Sequence, residues 1–394
     1  MIRLRDTRFT TTSAFLSSAI KTAEYYGFQP IESFAKKQNK FDSSQDLDIR
    51  FARKDERTLP TVAKRCLAAV SPDHPVILGW RLTNVAGSVP STSLELHIVG
   101  ASSAVAEALL IIAAHAIAED AGVKERILAV NSIGSTDSSN RYVRDVGGYL
   151  RKHLDTISPT LRPRAATDPL GTLVQLIERG HPAVPRAPQA MEYLTDEERG
   201  KLWDLLEYLE THNIPYELNP HILGSRECWS HSLFEISSID SESHARVPFA
   251  FGGRYDALAS RIARAPAYAA MVSISCEARG DGSYKHFEHP APTLYFAYIG
   301  AEARRRSLGI IEALRRADIE IKQGIYHEKI GEQMAAAQTA GVPYLLIMGH
   351  KEAMDGTVIV REVSTNAQEA VPVSDLPGYI KRHRMHVART PVHA

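Results

Sequence analysis

With 394 residues, 44% of them hydrophobic and 23% charged, the chain has the material for two or three water-soluble globular domains. Lysine plus arginine equals aspartate plus glutamate at 46 each, so no global positive field marks a nucleic-acid binder and any RNA contact must come from local patches. Cys66, Cys228 and Cys276 are far apart, which excludes a Cys-x-x-Cys zinc site and a disulfide framework and predicts a cytoplasmic protein. Met1 to Thr12 lacks the apolar stretch of a signal peptide. The most hydrophobic helix, 104 to 121, carries Glu107, His115, Glu119 and Asp120, so no membrane span is expected.

Phe15, Leu16, Ala19, Ile20 and Ala23 recur at helical spacing and predict a helix over Ser13 to Tyr26, stopped by Gly27 and followed by a strand from Phe28 to Phe34. The lysine-rich segment Ala35 to Ser44 reads as a loop. Val76 to Trp80 and Leu94 to Val99 are strand-like runs, and the polar stretch Thr83 to Ser93 between them suggests a hairpin. A buried helix over Ala104 to Ala121 and a strand over Arg126 to Val130 come next. From about 138 to 210 the chain turns helical and polar, with frequent prolines, and reads as a helical insertion. Strand signals return at Leu233 to Ile236 and Val247 to Phe251, and the Gly-, His- and Pro-rich run Asp281 to Pro292 reads as a linker.

The last third alternates strand and helix. Strands are expected at Thr293 to Ile299, Ile319 to Ile321, Tyr344 to Met348 and, antiparallel, Thr357 to Val363, with helices at Ala301 to Ala317 and Glu328 to Ala340. That order predicts an α/β domain over 293 to 384, with a basic flexible tail over 385 to 394.

The most informative motif is Phe251-Gly252-Gly253-Arg254-Tyr255-Asp256-Ala257-Leu258, preceded by Ile214-Pro215-Tyr216-Glu217-Leu218-Asn219-Pro220. Paired glycines before Arg-Tyr-Asp read as a backbone turn that opens a short helix beside a ligand crevice. With its neighbours this segment resembles the heart of the histidyl-tRNA synthetase family, among the class II aminoacyl-tRNA synthetases. The end of the chain, with Gly349-His350-Lys351-Glu352 and Gly356-Thr357-Val358-Ile359-Val360-Arg361, resembles the anticodon-binding domain of that group. The resemblance implies an α+β core over 1 to 285, an antiparallel sheet with flanking helices, and a C-terminal α/β anticodon-binding-like domain.

Class II synthetases activate an amino acid with ATP by positioning, so their arginines are the residues to trace: a planar guanidinium donates paired hydrogen bonds to phosphate and stays protonated. Trp80-Arg81-Leu82-Thr83 keeps the arginine of the second class motif, which assigns Arg81 to an ATP phosphate, and Glu95, on the strand that returns from its loop through Gly87, is assigned to substrate. Lys54-Asp55-Glu56-Arg57-Thr58 loosely matches the turn that contacts the amino acid and assigns Glu56 and Thr58 to substrate, together with Gly252, Gly253, Arg254, Tyr255 and Asp256. Elsewhere the pattern decays. Gly224 stands at the family's histidine-recognising arginine, with Arg226 two residues on as a catalytic substitute. Ser275 and Cys276 stand at the Glu-Arg of the third motif, which the family carries on a helix, and Phe34 replaces the first motif's proline. Arg304, Arg305 and Arg361 are the tRNA-contact candidates in the last domain.

The resemblance thus implies a histidine-tRNA ligase-like homodimer that binds tRNA, with weakened or lost aminoacylation. ATP with magnesium is the cofactor if it is active, and none otherwise. The rival readings are an active histidine-tRNA ligase with rebuilt phosphate contacts and a regulatory subunit partnered with the catalytic subunit of ATP phosphoribosyltransferase. His286-Phe287-Glu288-His289 reads as a solvated linker, and no metal site is expected.

Overall fold

Two-residue alternation organises the middle of the chain. In Ser93-Leu94-Glu95-Leu96-His97-Ile98 and again in Val272-Ser273-Ile274-Ser275-Cys276, apolar side chains fall on one face of a strand and polar ones on the other. The computed structural model describes residues 1–34, 56–72, 74–85, 90–279, 283–324, 326–327 and 329–386. The predicted loop 35 to 44, Lys54, Asp55, Gly87 and most of the basic tail lie outside the described residues.

The chain divides into two units: 1–23, 28–209 and 214–285 form the first, and 24–27, 210–213 and 286–394 the second. The first holds strands β1 (Gln29–Pro30), β2 (Ile77–Val85), β3 (Ser91–Val99), β4 (Arg126–Ser132), β5 (Tyr216–Leu218), β6 (Ser230–Ile239), β7 (Arg246–Arg254) and β8 (Ala269–Glu277). Their order in one eight-stranded sheet is β1-β2-β3-β8-β7-β6-β4-β5. The central pairings are all antiparallel, as expected, whereas β1 on β2 and β4 on β5 are parallel, so the sheet is mixed at its two edges.

Helices α1 (Thr12–Tyr25), α2 (Leu59–Ala69), α3 (Val105–Asp120), α4 (Thr136–Lys152), α5 (Arg162–Thr167), α6 (Pro169–Glu178), α7 (Asp196–Thr211) and α8 (Asp256–Ala263) complete the run. Helix α3 is apolar over most of its surface and buried from Val105 to Leu110 without a break, with Glu107 the one charge inside that stretch. It packs on β7 and β8, whose inward side chains include Val272 and Ile274. Each such aliphatic side chain, fully buried, contributes about 1.5 to 3 kcal/mol. On the other face α2, α4, α5, α6 and α8 share a second core that includes Trp229 and Tyr255. Thr195 and Glu198 cap α7 reciprocally, each side chain accepting from the other's backbone N–H at 3.3 and 2.8 Å.

Three expectations need correction. The strand from 28 to 34 shrinks to two residues, because Pro30 leads into a single 3-10 turn over Ile31–Ser33. The polar stretch after Leu82 is not all loop: Thr83, Asn84 and Val85 pair with Ser93, Thr92 and Ser91, and several of these polar side chains line a cavity. Gly252 and Gly253 lie inside β7 and not in a turn, although a short helix, α8, does open at Asp256.

The second unit holds β9 (Leu294–Tyr298), α9 (Ala301–Arg316), β10 (Lys322–Gln323), α10 (Ile330–Ala340), β11 (Tyr344–Met348), α11 (His350–Asp355), β12 (Thr357–Glu362), β13 (Gln368–Pro372) and α12 (Leu376–Arg382). Its sheet runs β10-β9-β11-β12-β13, with β10 and β11 parallel to β9 and the last two pairings antiparallel. The strand expected at 319 to 321 falls instead on Lys322 and Gln323; Ile319 and Ile321 are buried on the way into it.

Candidate functional site

The polar faces of β3 and β8, with β7 and β6 beside them, floor a cavity of about 1210 Å³ in the first unit. Strand register decides which side chains meet there. Arg81, Glu95, Ser273, Phe251 and Glu235 lie in one transverse row, and Thr83, Ser93 and Ser275 in the next. Val174, Ile177 and Glu178 of α6, Leu59 of α2, and Asn219, His221, Ile222 and Leu223 supply further walls.

Of the substrate candidates, Glu56, Thr58 and Glu95 line this cavity. Glu56 Oε1 accepts from the indole N–H of Trp229 at 2.6 Å and the Ser225 backbone N–H at 3.3 Å. Arg81 sits behind the lining, its guanidinium donating to Glu95 Oε2 at 2.8 Å and to the Thr58 hydroxyl at 2.7 Å. Glu95 also accepts from Thr83 at 3.0 Å, and its Oε2 lies 3.3 Å from His97 Nε2. A carboxylate only accepts, so His97 carries its proton on Nε2, and its Nδ1 accepts from the Tyr255 hydroxyl at 3.2 Å. A relay thus runs from the buried Tyr255 through His97, Glu95 and the half-buried Arg81 to the exposed Thr58.

Burial alone would raise the Glu95 carboxyl, but the His97 ring and the Arg81 guanidinium outweigh it and hold the carboxyl down to about 2. Its folded value lies below the ordinary 4.5, so the carboxylate contributes stability above that pH and loses the contribution as pH falls from 4.5 towards 2. Acid titration of unfolding free energy should therefore be shallower in Glu95→Gln than in the parent across that window. Equal slopes would remove the relay's electrostatic role.

The glycine-rich motif is built for packing. A Cβ on Gly252 would lie 2.3 Å from the Met271 carbonyl oxygen and 2.6 Å from the Phe234 ring. One on Gly253, at φ 157°, would lie 2.3 Å from the Ser232 carbonyl oxygen. Arg254 turns to the α3 side, donating to Glu107 at 2.8 Å and to the carbonyls of Ala101 and Ser103 at 3.1 and 2.9 Å; both charged side chains of the pair are 5% exposed. Asp256 accepts from the Ala269 N–H at 2.7 Å. None of Gly252 to Asp256 is among the lining residues, and Arg226 is exposed and outside them too.

Two positions explain the decay of the motifs. Gly224 is buried against Trp229, and a Cβ there would lie 2.4 Å from the indole ring. The indole therefore fills the space that a longer side chain at 224 would need. The third-motif stretch is strand throughout β8, with no helix following it up to α9 among the described residues, so successive side chains alternate faces. Ser275 joins the cavity lining with its hydroxyl 2.7 Å from that of Ser93, whereas Cys276 is fully buried on the other face and burial pushes its thiol up to about 12.

In the second unit Arg305 pairs with Glu302 at 3.3 Å, Arg304 is half-buried on α9, and Arg361 on β12 donates to Asn366. Sequence reasoning missed Trp229, Glu235, Ser273 and Ser275 as lining residues. The signal for the serines was present in their strict alternation with Val272 and Ile274.

The anticodon binding domain family matches residues 294–383. A curated histidine–tRNA ligase of Staphylococcus carnosus is 24% identical over 295 residues, 73% of this chain and 69% of its own. That of Synechococcus elongatus is 28% identical over 302 residues, 75% of this chain and 69% of its own. Over about three quarters of its length the chain is similar to histidine–tRNA ligases. Apo histidyl-tRNA synthetase of Staphylococcus aureus shares the fold, with a TM-score of 0.50, 18% identity, and coverage of 93% of this chain and 95% of that one. The chain thus carries a class II-type sheet and the C-terminal anticodon-binding domain, while Gly224, packed on Trp229, and Cys276 stand where the resemblance leads one to seek arginines.

Proposed function

We propose that this protein binds tRNA through its C-terminal unit, as a homodimer, and does not charge it. The observation that carries the reading is the Trp229 indole packed on Gly224 and hydrogen-bonded to Glu56: the arginine position of the resemblance is filled by a ring, and its space is closed. ATP with magnesium fits the lining poorly. Among the described residues no group of three His, Cys, Asp or Glu side chains could hold a metal ion, and the floor offers serine hydroxyls where phosphates need cations. The similarity to histidine–tRNA ligases and the anticodon binding domain match support the tRNA half of the reading.

Filter binding of unfractionated tRNA at rising salt, with charging of the same tRNA followed in parallel, tests both halves. Binding that weakens with salt and no accumulation of aminoacyl-tRNA is the expected result; charging, or no binding at low salt, contradicts it. Light scattering of the full chain should give twice its 43.5 kDa; a monomer would remove the dimer from the proposal.

A further inference from the structure

The cavity that the proposed function leaves without an activation step still has a definite chemistry. Among the described residues, Glu56, Glu95, Glu178 and Glu235 line it, and Arg246 is the one arginine or lysine on it, with its Nη1 held by Glu217 at 2.6 Å. Arg81, behind the lining, is engaged by Glu95 and Thr58. A ligand phosphate or carboxylate would therefore meet four carboxylates against one lining guanidinium, already paired with Glu217, and the Met1 ammonium, already bonded to the Pro248 carbonyl. A cation meets the opposite situation. Trp229 and Phe251 stand edge to face with centroids 5.3 Å apart, and aromatic faces beside carboxylates are the groups that hold organic ammonium ions. The Ser93 and Ser275 hydroxyls share one hydrogen bond between them, so one of the two protons has no further acceptor among the described residues and is left for a ligand heteroatom.

We infer that the cavity is a binding site for a small organic amine that carries neither carboxylate nor phosphate. The inference rests on the proposed loss of activation, since a site that took ATP and an amino acid would need more anion receptors than the paired Arg246 and the bonded Met1 ammonium provide. It also sets an order of preference: amine first, the amino acid of the same skeleton second, ATP last.

Isothermal titration of the full chain with matched pairs that differ only by a carboxylate, histamine against histidine and agmatine against arginine, reads that order directly, with ATP and magnesium as a third arm. At least one amine is expected to bind tenfold or more tighter than its amino acid and than ATP. Glu235→Gln should weaken that amine at least tenfold while narrowing the gap to the amino acid, a change of order that simple damage to the fold would not produce. Glu178→Gln, at the exposed rim, provides a second variant should the first fail to fold. An amino acid binding as tightly as its amine, ATP binding tighter than either, or no amine binding at all would each overturn the inference. Binding of tRNA without charging would stand in all three cases, so the two claims fail separately.

Discussion

Replacing Arg254 with methionine is expected to destabilise the first unit by about 3 to 5 kcal/mol, the cost of leaving a buried carboxylate without its partner. Glu107 sits in the first turn of the buried helix α3, 4% exposed, and receives both the Arg254 guanidinium and the Ser232 hydroxyl. The same guanidinium ties the carbonyls of Ala101 and Ser103, at the entrance to α3, to the end of β7. Removing it strands a charge, two carbonyl oxygens and the Asp256 carboxylate at once. Removing the charge at both ends should cost less than removing one: the double variant Arg254→Met with Glu107→Leu is expected to recover part of the loss. Urea unfolding of Arg254→Met, Glu107→Leu and the double variant measures this. A single variant within 1 kcal/mol of the parent would show that the pair contributes little.

The second large effect concerns Gly224. Putting arginine there, where the resemblance calls for one, is expected to destabilise the protein by about 1 to 3 kcal/mol or more and to restore no chemistry, because even the first carbon of the new side chain meets the indole of Trp229 at 2.4 Å. Relieving the clash with Trp229→Gly should recover much of that stability in the double variant, a coupling that thermal unfolding of the two single variants and the double would reveal. Arginine at position 276 fares no better: Cys276 lies on the buried face of β8 at 0% exposure, so a guanidinium there would enter the core and not the cavity. An arginine at 224 accepted without loss of stability would mean that Trp229 moves freely, and the argument from its packing would fall.

Much of the architecture could be read from residue patterns. The helix over Thr12–Tyr25, the hairpin of β2 and β3, the buried helix α3 and the exact bounds of β11 follow from periodicity, because each has an apolar face whose spacing matches its geometry. Helix α2 and strand β8 were not anticipated, and the other missed elements are short or polar. Strand β5 is three residues long, β13 has one buried residue in five, and the far half of β2 carries Thr83 and Asn84 because it borders the cavity. Hydroxyl-bearing strands that face a cavity look like loops when judged by composition alone.

The site was less legible, for a physical reason. Arg254, Tyr255 and Asp256 stand out in the sequence as charged and polar groups after a glycine pair, and such a motif is as well suited to clamping a strand onto a helix as to holding a ligand. Only the register of β7, which alternates Phe251 and Gly253 against Gly252 and Arg254, separates the two uses. Trp229 carried no motif of its own, and its importance lies in a contact with Gly224 five residues away, which no periodicity announces.

The central claim is that this cavity has lost the means to activate an amino acid, and amino-acid-dependent exchange of pyrophosphate into ATP tests it most directly. Assayed with histidine and then with each of the other standard amino acids, the full chain should give no exchange above the rate without amino acid, since loss of a single such phosphate-directed donor costs about 10²- to 10³-fold in rate and more than one position has changed. Exchange with any amino acid within tenfold of a working synthetase would contradict the account and restore an active ligase with rebuilt phosphate contacts.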